Sequence, residues 1–60
     1  MWIARSKGGK LFLYNERPLY YKQEDRWYSV EPILPWPLPD GLFPNLKWKD
    51  GPLEVVIVGI

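Results

Sequence analysis

The sequence predicts a small all-β single domain, an antiparallel sheet or SH3-like barrel of four to five short strands with a proline-rich crossover. Three observations predict it. Short runs rich in aromatic and aliphatic residues are separated by glycine pairs and prolines, the pattern of strands and turns. Seven prolines in 60 residues leave no room for a helix of three turns. The chain holds four tryptophans and neither cysteine nor histidine, so its core must be aromatic, with no disulfide and no histidine-bound metal to brace it.

Sixty residues make one domain, residues 1–60, near the lower size limit for independent folding. At that size apolar burial and ordering entropy nearly cancel. Either almost every apolar side chain is buried, or a contact with another molecule covers the rest.

The first element is a hairpin, with "WIARS" and "KLFLYN" flanking Gly8-Gly9, a pair that tolerates the positive φ of tight turns. A two-residue turn there sets Ala4 opposite Leu13 and Ser6 opposite Leu11. Trp2, Ala4, Leu11 and Leu13 then share one face, and Ile3, Arg5, Phe12 and Tyr14 the other, with the Arg5 guanidinium placed to stack on Phe12. Pro18 ends this unit, Leu19 to Lys22 predicts a third strand, Gln23-Glu24-Asp25 a turn, and Arg26 to Val30 a fourth strand.

Between Glu31 and Asp40 the chain reads "EPILPWPLPD". Four prolines in eight residues exclude a helix and a central strand, and predict an extended crossover whose Ile33, Leu34, Trp36 and Leu38 pack on what lies beneath. Asp40 to Asn45 permits one helical or 3₁₀ turn with Asp40 at its N-cap. Asp50-Gly51-Pro52 predicts a wide loop, because Pro52 cannot donate the closing bond of a two-residue hairpin. Leu53 to Val58 is nearly continuous in apolar residues and reads as a strand buried on both faces.

Composition excludes much chemistry. With no histidine, cysteine or threonine and only Ser6 and Ser29 as hydroxyl nucleophiles, neither a Ser-His nor a Cys-His pair can be assembled, and no enzyme is expected. The seven carboxylates show no calcium-loop spacing, so neither metal nor cofactor is expected. Net charge is +1 with the two signs interspersed, which gives no electrostatic footprint for a polyanion or a membrane surface. The opening Trp2-Ile3-Ala4-Arg5 lacks the pattern of a secretory leader, and the apolar run at Val55 is far shorter than the ~20 residues of a spanning helix. A cytoplasmic location is the expectation.

The opening "MWIARSKGGKLFLYNERP" and the closing "LFPNLKWKDGPLEVVIV" carry a resemblance. They are similar to a group of short uncharacterised bacterial and mobile-element proteins that open M-W-I-A-R, turn at a glycine, continue L-x-L-Y, and close L-F-P-x-[VL]-x-W before an alternating strand. Ser6 stands where that group has an acidic residue, Arg17 where it has lysine, and the middle segment is longer and richer in proline. The resemblance implies one compact domain in a bacterial, phage or mobile-element setting, and it assigns no site residues.

By elimination the expected function is contact: a non-enzymatic protein-interaction module, an accessory or anti-host factor binding another protein. Its candidate interaction residues are Trp36 and Leu38 of the proline segment and Arg5, Phe12 and Tyr14 of the hairpin. One alternative is a small nucleic-acid-binding barrel that uses the hairpin face with Lys7 and Lys10. Another is a self-associating structural protein whose last strand pairs with its copy.

Overall fold

The computed structural model describes residues 1–56. Among these residues six strands form two antiparallel sheets: β1 (Trp2–Arg5), β2 (Leu11–Tyr14), β3 (Leu19–Tyr21), β4 (Arg26–Tyr28), β5 (Trp36–Leu38) and β6 (Leu53–Glu54). The first sheet runs β5-β2-β1-β6, and β3 and β4 pair as a separate hairpin. The all-β class holds, while the SH3-like barrel does not form: no pairing among the described residues joins the hairpin to either edge of the first sheet.

The first turn sets the register of everything that follows. The Gly9 N–H donates to the Ser6 carbonyl at 2.9 Å, the Ser6 N–H donates to the Lys10 carbonyl at 2.7 Å, and Gly9 has φ 95°. This is a three-residue loop, a reverse turn followed by a left-handed glycine. It pairs Ala4 with Phe12 and Arg5 with Leu11, one position away from the two-residue turn expected from Gly8-Gly9. A one-residue slip exchanges faces. Trp2, Ala4, Phe12 and Tyr14 therefore share one face, and Ile3, Arg5, Leu11 and Leu13 the other, so Arg5 and Phe12 do not stack.

The same parity places the prolines. Ser6 and Lys10 are a hydrogen-bonded pair, so Ala4–Phe12 and Trp2–Tyr14 are too, and Leu11 and Leu13 turn their backbone groups toward β5. Their partners there are Leu38 and Trp36, and Pro37, opposite Phe12, points its missing donor away from the sheet. The proline segment thus builds an edge strand, the position in which a sheet tolerates proline.

The buried apolar set among the described residues is small: Ile3, Ala4, Leu11 and Tyr14, with Pro18 also enclosed. Arg17 lies over the Trp2 ring, 5.2 Å from its centroid. Side chains attach the second hairpin. Tyr20 meets Trp27 edge-on at 5.4 Å and Trp48 at 6.2 Å, and Lys7 stands over Trp48 at 5.4 Å.

Three expectations for the last third change. Asp40 to Asn45 forms two reverse turns, closed by Leu42 N–H on Pro39 and Leu46 N–H on Phe43, in place of a helical turn capped by Asp40. The 3₁₀ turn falls at Trp48–Asp50, where the Asp50 carboxylate accepts the Lys47 N–H at 2.8 Å. The last strand spans Leu53–Glu54, and both residues are exposed because among the described residues no strand lies beyond it at the free side of β1. Ile57 and Val58, which the sequence places in that strand, lie outside the described residues.

Candidate functional site

The five candidate residues do not form one surface. The register puts Trp36 and Leu38 on the face that holds Arg5, and Phe12 and Tyr14 on the opposite one. Tyr14 is buried, and Phe12 and Leu38 are half-buried. Burial pushes the Tyr14 hydroxyl above its ordinary pKa, partly offset by the positive charge of Arg26. Of the five, Trp36 is the open one, 69% exposed.

Arg5 has a structural engagement. Its Nε donates to the Leu46 carbonyl, one terminal nitrogen to those of Gly9 and Asp40, and the other to those of Leu42 and Phe43, at 2.6 to 3.1 Å. A guanidinium has five N–H donors, and here five carbonyls take them. The two lysines of the hairpin tip are also paired: Lys7 with Asp25 at 2.6 Å, Lys10 with Asp40 at 3.7 Å.

The strongest apolar surface lies where the proline segment enters β5. Leu13, Ile33, Leu34, Pro35 and Trp36 line a groove of about 330 Å³ at the end of β2, with Asn15, Ser29 and Glu31 among its polar members. Leu34 is 89% exposed, and Ile33 and Val30 also face solvent. Local bonding explains the shape. The Ser29 hydroxyl accepts the Glu31 N–H at 3.2 Å, turning the chain after β4, and Pro32 and Pro35 hold Ile33 and Leu34 extended between them. Expected to pack beneath the crossover, Ile33 and Leu34 instead stand out from it. An apolar pair between prolines has no alternation and hence no inward face of its own, and among the described residues no element lies above it to bury the pair.

A third cluster joins the two sheets. The Tyr20 hydroxyl donates to one Asp25 oxygen while Lys7 holds the other. The Lys7 bond, then the Tyr20 bond, lowers the Asp25 pKa, and the hydrogen bond to Asp25 raises that of Tyr20. Among the described residues no group of three or more Asp, Glu, His or Cys side chains is placed to hold a metal ion. Among them, too, no helix is long and apolar enough to cross a membrane.

No family model, curated protein or solved structure matches the chain.

Proposed function

We propose that the protein is a non-enzymatic interaction module, and that the segment from Val30 to Leu38 is its contact arm, a structural crossover and a binding surface at once. One observation carries this reading: Ile33, Leu34 and Trp36 line an apolar groove and are exposed, with Val30 exposed three residues before them. Exposed apolar side chains gathered in one patch mark a contact site more strongly than the same residues scattered. Prolines at 32, 35, 37 and 39 restrict the unbound arm, so little conformational entropy remains to be lost on binding. Trp36 is the anchor and Leu38 its half-buried support. The partner is another protein with an apolar contact surface, and the resemblance of the two ends of the chain suggests a bacterial, phage or mobile-element setting.

The nucleic-acid alternative draws less support. Lys7 and Lys10 each have a carboxylate, and Arg5 is engaged with backbone carbonyls, so the hairpin offers little unneutralised charge to phosphates.

The test is recovery of tagged protein from its native cells with and without nuclease, beside Trp36→Ala. A stoichiometric protein partner that survives nuclease and is lost with Trp36→Ala supports the arm. Recovery that vanishes with nuclease, or that Trp36→Ala leaves unchanged, overturns it.

A further inference from the structure

The two edges of the main sheet differ in what their backbones offer. On β5 the outward-facing position is Pro37, and two residues to either side stand Pro35 and Pro39. Side chains and backbone groups alternate with period two along a strand, so all three prolines fall where an outward N–H would be. That edge has no donor to give a neighbouring strand.

The β6 edge is open. The Val55 N–H donates to the Met1 carbonyl at 2.8 Å and Leu53 pairs with Ile3, so Leu53 and Val55 face inward to β1. Glu54 and Val56 have the opposite parity and face outward. Neither N–H has a hydrogen-bond partner among the described residues. Val56 is 86% exposed, and on the neighbouring surface Phe43, Leu46 and Leu53 line a shallow apolar depression.

We propose that β6 pairs antiparallel with β6 of a second copy, about a two-fold axis at Val55. Two registers bond the outward residues within the described chain, and the sequence chooses between them. Setting Glu54 against Glu54 of the second copy places like charges face to face, and it sets the Val56 N–H against Pro52, which has no donor to return. Setting Glu54 against Val56 lets each copy donate from both residues, separates the carboxylates, and brings the two Val55 residues together as a close non-hydrogen-bonded pair. Leu53 and its mate lie on the same face, beside the Phe43 depression. Because the opposite edge of the sheet is sealed, pairing consumes the one open edge and stops at two copies, a closed isologous dimer.

Sedimentation of the intact protein across a wide concentration range reads the stoichiometry. The expected result is a reversible monomer–dimer equilibrium, with Glu54→Pro weakening the dimer about tenfold or more, since it removes an outward donor that β1 does not use. Val55→Cys reads the register by a separate route. In a chain without cysteine it should form a disulfide dimer rapidly under mild oxidant, while Glu54→Cys should not, because opposed Cα atoms at a non-hydrogen-bonded pair lie about 4.5 Å apart. A monomer at concentrations up to about 1 mM overturns the proposal. So does a dimer indifferent to Glu54→Pro in a variant that folds, or one lost with Trp36→Ala. The last result would place association on the proline arm, so the two surfaces fail separately.

Discussion

The Nε of Arg5 lies 2.6 Å from the carbonyl oxygen of Leu46, across 41 residues of sequence. That contact and the three to Asp40, Leu42 and Phe43 tie the first strand to the turns between Asp40 and Leu46, a stretch without regular structure of its own, while the fifth holds the Gly9 carbonyl of the hairpin's own turn. A side chain with the look of a surface cation is thereby the strap of the loop.

Replacing Arg5 by lysine keeps the charge and loses the planar fork. One ammonium carries three donors and cannot reach five carbonyls set around a plane. The expected loss is about 2 kcal/mol, or a melting temperature lower by about 8–16 °C for a domain of this size. Thermal unfolding followed by far-ultraviolet circular dichroism measures it. A change of less than about 0.5 kcal/mol would return Arg5 to the list of free surface groups.

Gly8 and Gly9 should respond differently to alanine although they are neighbours. Gly9 sits at φ 95°, which an L side chain adopts only with strain, whereas a Cβ at Gly8 meets nothing closer than the Ser6 hydroxyl at 4.0 Å. Gly9→Ala is expected to cost about 1 kcal/mol and Gly8→Ala to stay within about 0.5 kcal/mol of the parent. Urea unfolding of the two variants side by side decides, and equal effects would contradict the three-residue loop.

Pro37→Ala should act twice. Relaxing the unfolded chain lowers stability by about 0.4–1 kcal/mol. It also returns an N–H to the sealed edge, so light scattering at rising concentration should show growth beyond the dimer, which the parent should not show. Unchanged scattering would mean that prolines at 35 and 39 suffice.

The junction of Lys7, Asp25 and Tyr20 makes stability depend on pH at both extremes. Asp25 has a lowered pKa in the folded protein, so its contribution is present above about pH 3.9, the unfolded value, and is lost as pH falls through the folded one. Tyr20 has a raised pKa, so its contribution is present below about pH 10 and is lost as pH rises through the folded value. Asp25→Asn should flatten the acid limb and Tyr20→Phe the alkaline limb of melting temperature against pH. Asparagine is the suitable probe because position 25 has φ 55°, a conformation it tolerates. Limbs identical to the parent's in both variants would show that the junction does not couple to folding.

The strands of both hairpins were legible from their aromatic and aliphatic runs, and the turn at Gln23 to Asp25 from its polar residues. The register of the first hairpin was not. Gly8-Gly9 suits either a two-residue or a three-residue loop, and the choice rests on Ser6, whose hydroxyl accepts the Lys10 N–H at 3.1 Å while its backbone closes the pair. One position of slip separated Arg5 from Phe12 and sent it to the loop carbonyls, whose places depend on tertiary folding. In the proline segment the number of prolines was legible as a bar to central strands, but their period of two was the structural message. The standing-out of Ile33 and Leu34 came from the absence of any element above them among the described residues.

The protein measures 15 Å along its shortest axis. A slab so thin has almost no interior, and most of its apolar side chains keep part of their hydration when folded. Unfolding therefore exposes less new apolar surface per residue than the roughly 12–15 cal/mol/K heat-capacity increment of ordinary domains implies. Its stability curve should be correspondingly flat, with a broad calorimetric transition. Covering the arm or pairing the open edge would then supply a large share of the heat-capacity change that a thicker protein obtains by folding.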